Sequence, residues 1–499
     1  MQEKRFKDLI FYEIYPTSFQ DSNHDGIGDL NGITERLEEI AEMGFNAIWL
    51  NPFYASPFRD GGYDVSDFFN VDEKFGNNDD FVRLCKKAHG LDIRIIVDLV
   101  AGHASIDNPD FLKSASAERN ANSDLFIWNS SVWDQEPHYR LIGGCFERNA
   151  CYMVNFFAHQ PAFNYGFNKI EYPSWQLSYK DERTLLAREY MYRVMDHWLS
   201  LGADGFRVDM ADSLVKNDED KTATIEVWKD MFARIRKKHP SVFFVSEWSN
   251  PHRAFEAGFD ADFVLDHWDN FYHRMVRSNN NTRGISLFYG GEQSEFVLRD
   301  MKERFETAEK YHKSLALISG NHDTPRIAND LDHDRLKLFY LMLFTLPGIP
   351  FVLYGDELEM KSSALSSKDG GYQRTGTRIP MIWNNEETNH GFTDPDAVPY
   401  LPFDKENTIS LEDAKKDPSS LYHFIRKLIQ LRKEKDDLKE ESVRITEEEG
   451  VWRFERGELE LIVNLSLKEI PLHDSVLISS KKRDDVLEPY SGALIQKRF

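Results

Sequence analysis

Cysteine is scarce in this chain, with three residues in 499: Cys85, Cys145 and Cys151. No two of them form a C-x-x-C pair, so a zinc site or a dithiol redox motif is unsupported. Cys145 and Cys151 are near enough in sequence to form a disulfide. Free thiols in a reducing compartment are nevertheless the better expectation for so few cysteines.

A basic excess and long apolar runs are also missing. The chain carries 61 Lys and Arg against 84 Asp and Glu, a formal net charge of −23, whereas a nucleic-acid-binding face would be basic. No apolar run approaches the length of a membrane span, and the N-terminal segment MQEKRFKDLIFYEIYP lacks the apolar core of a signal peptide. We therefore expect a cytoplasmic protein that binds neither nucleic acid nor membrane. The sequence leaves open its oligomeric state and the earlier removal of a signal peptide.

What the chain does have is a regular alternation of about eight short apolar runs with helical patterns. The runs are LIFYEIYP, FNAIWLNP, IRIIVDLV, GFRVDM, VFFVSEW, ADFVLDH, LALISGNHD and IPFVLYGDE. Near-continuous apolar strands that alternate with helices favour a parallel sheet covered by helices on both faces. About eight such units predict an α/β fold, the (β/α)8 TIM barrel. A doubly wound open sheet is the alternative.

Two stretches interrupt this alternation. Residues 104–182 are rich in Asn, Phe, Trp and Tyr and show little periodicity. Because a structureless loop of that length is improbable in a compact domain, they predict an inserted domain after the third strand. Residues 439–499 read as alternating strands and turns, which predict a small C-terminal antiparallel β domain. The barrel would then comprise residues 1–103 and 183–438.

Polar residues follow several of the predicted strands. Carboxylates stand at the ends of the fourth, fifth and seventh strands, as Asp209, Glu247 and Asp323. The active site of a TIM barrel lies at the carboxyl ends of its strands, so residues far apart in sequence would meet there. A single polar residue at a strand end often only caps a helix, but several of them on one rim predict a catalytic site.

Four segments, in this order, resemble the conserved regions of the α-amylase family of glycoside hydrolases: DLVAGH, GFRVDMADS, VSEW and SGNHD. HQPAFNYG, in the predicted insertion, is similar to a further region of that family. The resemblance covers nearly the whole chain. The segments DSNHDGIGDLNGI, NPFYASPFRDGGYDVSDF and RTGTRIPMIW look most like the oligo-1,6-glucosidase, α-glucosidase and trehalose synthase branches.

The resemblance implies a role for each strand-end carboxylate. Asp209 matches the nucleophile of the family, and the guanidinium of Arg207 would lower the pKa of its carboxyl group and hold it ionised. Glu247 matches the general acid/base, and Asp323 matches the carboxylate that binds ring hydroxyls of the sugar. Tyr63 would stack on the sugar, with support from Asp64 through an arginine or a hydroxyl. All positions that match sugar-binding residues are Tyr63, Asp64, His103, Arg207, His322 and Arg378.

The segment DSNHDGIGD places oxygen ligands at alternate positions. Asp21, Asn23, Asp25 and Asp29, with the carbonyl of Ile27, resemble an EF-hand loop, and such a set suits a hard cation. Related enzymes carry calcium or magnesium in the matching loop, so we expect calcium, or magnesium in its place, as a structural cofactor. The alternative is an Asx-rich turn that caps the helix after it.

Gly102 and Ser213 depart from the family pattern, which usually has Asn and His at these positions. In many members those side chains serve a calcium ion between barrel and insertion. The resemblance therefore implies that this second ion is absent here.

The function implied by the resemblance is that of a retaining glycoside hydrolase. It would cleave α-glucosidic bonds in malto- or isomalto-oligosaccharides through a covalent glycosyl-enzyme intermediate. The alternatives are a transglucosylase or isomerase such as a trehalose synthase, and an endo-acting α-amylase. A non-catalytic carbohydrate-binding or transporter-associated member is a minor alternative, because such proteins usually lose carboxylates that this chain keeps. The preference for 1,4 or 1,6 linkages stays open. The long aromatic-rich insertion favours a pocket for short oligosaccharides over an open groove.

Overall fold

The computed structural model of the protein describes residues 6–134, 136–278, 285–385, 388–481 and 485–497. The strands are β1 (Phe11–Ile14), β2 (Ala47–Leu50), β3 (Tyr54–Ala55), β4 (Asp67–Val71), β5 (Arg94–Leu99), β6 (Leu141–Ile142), β7 (Tyr152–Met153), β8 (Gly205–Val208), β9 (Phe243–Ser246), β10 (Ala261–Val264), β11 (Ser314–Ile318), β12 (Ile349–Leu353), β13 (Arg444–Glu448), β14 (Val451–Arg456), β15 (Leu459–Asn464), β16 (Ile470–Pro471), β17 (Ser475–Ser479), β18 (Val486–Leu487) and β19 (Ser491–Gln496). The α-helices are α1 (Leu30–Glu35), α2 (Leu37–Met43), α3 (Asn78–Gly90), α4 (Pro109–Ser114), α5 (Leu185–Leu201), α6 (Thr222–Lys238), α7 (Pro251–Ala257), α8 (Phe271–Val276), α9 (Ser294–Tyr311), α10 (His333–Thr345), α11 (Leu411–Lys416) and α12 (Leu421–Glu434).

The central element is a closed barrel of parallel strands, in the order β1-β12-β11-β10-β9-β8-β5-β2. Helices lie between successive barrel strands, for example α3 between β2 and β5 and α6 between β8 and β9. β1 pairs with both β2 and β12, which closes the sheet and excludes the doubly wound alternative. The prediction of a (β/α)8 barrel is therefore confirmed.

Aromatic side chains fill the barrel below the strand ends. The rings of Phe11 and Phe351 stack at 4.0 Å, and Phe263 lies 4.9 Å from Phe351 and 5.3 Å from Trp49. All four side chains are almost fully buried. Aromatic pairs of this kind contribute roughly 0.5–1.5 kcal/mol each beyond the area they bury. The packed interior leaves the carboxyl-end rim as the place where polar groups meet.

The segment between β5 and α5 contains the short helix α4 and the hairpin of β6 and β7. Its aromatic residues pack mainly on one another: Phe111 stacks on Trp128 at 5.6 Å, and Phe126 stacks on Phe163 at 4.7 Å. A β-bridge between His103 and Ala162 ties the segment to the end of β5. The abundance of aromatics that the sequence shows here is therefore largely an internal core. The exact domain limits stay a prediction.

The chain ends in an antiparallel sheet in the order β13-β14-β15-β19-β17, which agrees with the predicted C-terminal β domain. Arg456 of β14 is buried and donates to the carbonyl of Thr345, at the end of α10, at 2.6 Å. The cysteines Cys85, Cys145 and Cys151 are free thiols. No helix in the described parts of the chain is both long enough and apolar enough for a bilayer crossing.

Candidate active site

A cavity of about 370 Å³ lies at the carboxyl ends of the barrel strands. Asp209 directly follows β8, Glu247 directly follows β9, and Asp323 lies in the loop after β11. All three carboxylates line this cavity, together with Asp60, Tyr63, His103, Phe156, Met210, Asp212, Trp248, Leu265, His267 and Arg374. The structure thus brings together residues that are separated by more than a hundred positions in the sequence.

One buried guanidinium organises the carboxylates of β5, β8 and β9. Nη1 of Arg207 lies 2.6 Å from Asp98 Oδ1 and 3.0 Å from Asp209 Oδ1, and Nη2 lies 2.7 Å from Glu247 Oε1. Arg207 is only 1% exposed. A charge buried this deeply is tolerated only when it is paired, and this one is paired three times. The two ends of the same guanidinium therefore hold Asp209 and Glu247 on either side of a single small space.

Asp98 is a member of this group that the sequence analysis missed. It faces Arg207 in register on the neighbouring strand, and its Oδ2 accepts a hydrogen bond from Trp49 Nε1 at 2.8 Å. Burial raises the pKa of Asp98 to about 6, against the opposing charge of Arg207. The signal was present in IRIIVDLV, because an aspartate inside an apolar strand requires a buried partner.

The predicted lowering of the Asp209 pKa is wrong in its net direction. Burial and the nearby charge of Glu247 raise the pKa of Asp209 well above its usual value, and Arg207 opposes this shift without overcoming it. The segment GFRVDM shows the guanidinium, whereas the desolvation and the second carboxylate are supplied only by the folded pocket.

The backbone turns sharply after the predicted nucleophile. Met210 has φ 41° and ψ 49°, the left-handed region, and its N–H donates to Glu247 Oε2 at 2.8 Å. A non-glycine residue in this region is strained, and such strain collects at functional sites. The turn fixes the carboxylate of Glu247 from a second side, opposite its contact with Arg207.

Asp323 lies between two guanidinium groups and the imidazole of His322, whose own pKa burial lowers well below its ordinary value. Its Oδ1 lies 2.9 Å from Arg378 Nη2 and 3.1 Å from Arg374 Nη1, and its Oδ2 lies 3.2 Å from His322 Nε2. Burial would raise the pKa of Asp323, but His322 and the two guanidinium groups outweigh it and lower this pKa well below its usual range. Asp323 is therefore ionised at neutral pH, as a carboxylate that accepts bonds from sugar hydroxyls must be.

Three residues from distant loops meet beside the cavity, two of which, Asp60 and Arg374, line it. Asp60 lies in the loop between β3 and β4. Its Oδ1 lies 2.8 Å from Arg374 Nη2, and its Oδ2 accepts a hydrogen bond from Gln160 Nε2 at 2.7 Å. Gln160 comes from the insertion and Arg374 from the loop after β12. The three residues lie in the segments FRDGGYD, HQPAF and RTGTR, which resemble the family. No local pattern in the sequence links the three positions to one another, so their contact could not be predicted.

Tyr63 and His322 stack on one another beside Asp323. Their rings are nearly parallel at 5.4 Å, and the Tyr63 hydroxyl lies 2.8 Å from His322 Nε2. Tyr63 lines the cavity, whereas His322 lies behind it and is only 1% exposed. His322 contacts Tyr63 and Asp323, which do reach the cavity, and its direct contact with sugar hydroxyls stays a prediction.

His103 lines the cavity, but both of its ring nitrogens have partners in the protein. Nε2 donates to the Tyr63 carbonyl at 3.1 Å, and Nδ1 accepts from Asn155 Nδ2 at 3.2 Å. Burial lowers the pKa of His103 to about 3, so the ring is neutral. A sugar hydroxyl bound by His103 would have to share one of these bonds.

The family model described as the α-amylase catalytic domain matches residues 13–441, most of the chain. The chain belongs to the α-amylase family. It is thus an enzyme, a glycosidase that acts on α-glucosidic bonds.

Known members of the family match over most of the chain. It is 30% identical over 480 residues to the trehalose synthase/amylase of Mycolicibacterium smegmatis, covering 86% of this chain and 76% of that one. It is 27% identical over 551 residues to the glucan 1,6-alpha-glucosidase of Streptococcus pneumoniae, covering 98% and 97%. The crystal structure of a trehalose-6-phosphate hydrolase from Bacillus licheniformis superposes with a TM-score of 0.79 at 24% identity, covering 98% of each chain, which supports the fold.

Asp64 does not reach the cavity of this α-amylase family enzyme. Its Oδ1 accepts from the hydroxyl of Ser56 and the N–H of Asp60, and its Oδ2 accepts from the N–H of Arg59, all at 3.0–3.1 Å. These bonds stabilise the loop that carries Asp60 and Tyr63, and the support of Tyr63 on the sugar by Asp64 stays a prediction. The Tyr63 hydroxyl itself lies 3.3 Å from Asp98 Oδ2.

The Asx-rich turn that the sequence analysis gave as an alternative is present at residues 21–29. Asp29 caps α1 by accepting from Gly32 N at 2.8 Å, and Asp21 accepts from the N–H groups of His24 and Gly26 at 2.8 and 2.7 Å. The described residues contain no group of three or more His, Cys, Asp or Glu side chains arranged around one metal position. Each oxygen that serves a turn keeps further lone pairs, so the turn preorganises the loop and leaves the cation a prediction.

Side chains occupy the space beside Gly102, where the family usually has an asparagine. A Cβ at Gly102 would lie 2.6 Å from Asn155 Nδ2 and 3.0 Å from Ser213 Oγ. The ammonium of Lys216 donates to Asn155 Oδ1 at 2.7 Å and to the Ser213 carbonyl at 2.6 Å. Lys216 thereby links the loop after β8 to the insertion, and burial lowers its pKa to about 7.

Proposed function

We propose that this enzyme is a retaining α-glucosidase that removes terminal glucose from short malto- or isomalto-oligosaccharides. The observation that carries the proposal is the contact of Asp60 with Arg374 and with Gln160 of the insertion, beside Asp323, from which we infer that one end of the catalytic cavity is closed. A cavity blocked on one side of the cleaved sugar accepts a chain end, whereas an internal segment of a polymer needs both sides open.

In the first half of the proposed reaction, the proton that the Asp209–Glu247 pair shares lies on Glu247, and Asp209 attacks the anomeric carbon of the sugar as a carboxylate. The bond to the leaving oxygen breaks as Glu247 transfers its proton to that oxygen, which gives a covalent glycosyl-enzyme. Arg207 bridges the two carboxyl groups. It therefore positions both reacting oxygens and offsets the negative charge as the proton leaves Glu247.

In the second half, the carboxylate of Glu247 takes a proton from water, and the water oxygen attacks the anomeric carbon. Asp209 leaves as a carboxylate, and two inversions give overall retention of configuration. Asp323, ionised through its contacts with Arg378 and Arg374, accepts bonds from ring hydroxyls and favours the cationic, distorted sugar of both transition states. Direct sugar contacts from Tyr63 fit its place in the lining.

Transfer to a second sugar is the other candidate activity. Phe156, which is 42% exposed, and Trp248 also line the cavity. Aromatic faces at the mouth of a pocket favour a sugar acceptor over water. The relative from Mycolicibacterium smegmatis named a trehalose synthase/amylase supports this alternative, and the glucan 1,6-alpha-glucosidase supports hydrolysis.

Product analysis separates these activities. The enzyme would be incubated with maltose, isomaltose, maltotriose, trehalose and soluble amylose, with Asp209→Ala as the inactive control. We expect glucose as the first product, released as the α-anomer, with a higher kcat/KM for maltotriose than for amylose. Early release of internal fragments from amylose would reject the closed pocket, and accumulation of a new disaccharide would favour the transferase.

A structural calcium or magnesium ion at residues 21–29 forms part of the proposal. Asp21, Asn23, Asp25, Asp29 and the Ile27 carbonyl would hold it, away from the reacting atoms, and the preorganised turn supports this. Elemental analysis after dialysis against calcium, compared with Asp21→Ala, tests it: one equivalent is expected in the wild type only.

We also propose a cytoplasmic location, supported by the free thiols and the acidic surface charge. Fractionation of the native host with an antibody would test it. Enzyme found in the medium or the membrane fraction would reject this part of the proposal.

A further inference from the structure

A buried glutamate on β1 lies behind the catalytic cavity and has no part in the mechanism above. Glu13 is 0% exposed, and its Oε1 lies 2.8 Å from Nδ1 of His322. The same oxygen accepts from the backbone N–H of His322 at 3.3 Å and from Asn51 Nδ2 at 3.2 Å. Its Oε2 has no hydrogen-bond partner.

His322 connects Glu13 to the cavity. Nδ1 faces Glu13 and also lies 3.0 Å from Asn51 Nδ2, which can only donate to it. Nε2, on the far side of the ring, lies 3.2 Å from Asp323 Oδ2 and 2.8 Å from the Tyr63 hydroxyl. Asp323 and Tyr63 both line the cavity. An ionised carboxylate 3.2 Å from a ring nitrogen is favourable only when that nitrogen carries a proton, because two lone pairs would otherwise face one another.

We propose that Glu13 is a positioning residue for the site of the cleaved sugar: its carboxyl group supplies the proton at the contact with Nδ1 of His322, so that the one proton of the neutral ring stays on Nε2, directed at Asp323. Burial raises the pKa of Glu13 well above its ordinary value, which is consistent with a proton at the contact with Nδ1. The same contact fixes the plane of the imidazole and therefore the position of the Tyr63 hydroxyl.

A carboxyl oxygen suits this position better than an amide. At Oε1, two N–H donors and Nδ1 converge on one atom. A carboxyl oxygen accepts from both donors and also supplies the proton at the contact with Nδ1, whereas an amide oxygen only accepts and an amide nitrogen only donates. In Glu13→Gln, an amide oxygen at this point would draw the single ring proton to Nδ1 and leave Nε2 bare in front of Asp323.

The test compares Glu13→Gln with a matched control, Glu357→Gln. Glu357 is also a buried glutamate at the barrel, one oxygen of which accepts from Tyr12 at 2.6 Å while the other has no partner, but it does not contact His322. With 4-nitrophenyl α-glucoside and maltose, we expect Glu13→Gln to lower kcat on the order of 10–100-fold, the effect of losing one hydrogen bond to a charged group, with KM and Tm nearly unchanged. Glu357→Gln should change kcat less than about twofold.

A double-mutant cycle distinguishes action through His322 from a general effect of burial. In a His322→Gln background, Glu13→Gln should lower kcat by less than about twofold, because the connection is already broken. Wild-type kcat in Glu13→Gln, or full additivity with His322→Gln, would overturn the proposal. If Glu13→Gln does not fold, Glu13→Asp replaces it in the test. Aspartate keeps the carboxyl group but is too short to reach Nδ1 of His322, so we expect the same loss of kcat. An unchanged kcat in Glu13→Asp would contradict the proposal.

This inference rests on the proposed function only in that Asp323 and Tyr63 must contact the sugar. Different results would contradict the proposed function and the role of Glu13. An inactive wild type, or an active Asp209→Ala, would contradict the proposed function, whereas an active wild type with an equally active Glu13→Gln would contradict the role of Glu13 alone.

Discussion

Replacement of Arg374 by alanine tests the closed end of the cavity most directly. The guanidinium lies 2.8 Å from Asp60 and 3.1 Å from Asp323, and its side chain is 23% exposed. Hydrogen bonds to charged groups contribute roughly 1.5–3 kcal/mol each. If one of the two contacts is transmitted to the bound sugar, kcat/KM for maltose should fall about 10–150-fold, at 1.36 kcal/mol for each factor of ten.

Longer substrates should lose less. Without Arg374, the wall beside Asp60 opens, so glucose units beyond the cleaved sugar gain room. We therefore expect the ratio of kcat/KM for maltoheptaose to that for maltose to rise at least several-fold in Arg374→Ala. The assay is the initial rate of reducing-end release at substrate concentrations below KM, with product lengths determined by chromatography.

Arg335→Ala is a suitable control. Arg335 has the same 23% side-chain exposure and pairs with Asp332 at 3.2 Å, on the helix α10. The Arg335→Ala substitution removes an equally exposed guanidinium away from the cavity. It should leave kcat/KM for maltose and the maltoheptaose-to-maltose ratio within about twofold of wild type. An unchanged substrate-length ratio in Arg374→Ala, with maltose activity lost, would refute the closure argument and leave Arg374 with an electrostatic role on Asp323 alone.

Further predictions concern the carboxylates, the buried lysine and the cation loop. Asp209→Ala should lower kcat by several orders of magnitude with an intact fold. Glu247→Gln should still form the glycosyl-enzyme from substrates with activated leaving groups, because these need no acid. Burst kinetics with 2,4-dinitrophenyl glucoside check this, and if such substrates react no faster than ordinary ones in Glu247→Gln, Glu247 is not the acid. Burial lowers the pKa of Lys216 to about 7 from its ordinary 10.5, so between these values the unfolded chain binds more protons and the stability contributed by this group rises with pH. Lys216→Met should remove that gain, seen as a smaller rise in Tm between pH 7 and 9, and an identical pH dependence of Tm would contradict it. Chelation of the cation proposed at residues 21–29 should lower Tm more than it lowers kcat at moderate temperature, and a loss of kcat without any change in Tm would place the ion elsewhere.

The catalytic carboxylates illustrate how far local sequence signals extend. Each of Asp209, Glu247 and Asp323 follows an apolar run that becomes a barrel strand, so the period of the runs alone placed all three on one rim. The barrel itself followed from the same alternation, because parallel strands between helices have few ways to bury both faces. Arg207 could also be paired with Asp209 from the sequence, since Asp209 follows Arg207 by two positions at the end of the same apolar run.

Tertiary structure decided what depends on groups that are distant in sequence. The pKa of Asp209 is raised rather than lowered because burial and Glu247 act on it together, and neither effect is visible in GFRVDM. Asp60, Gln160 and Arg374 meet through three loops that share no periodicity, so no pattern could join them. Asp64 turns toward Ser56 because the backbone N–H groups of its own loop satisfy it. Strand period is set by local backbone geometry, which a sequence carries residue by residue; the electrostatics of a pocket depend on distances between loops, which exist only once the chain has folded.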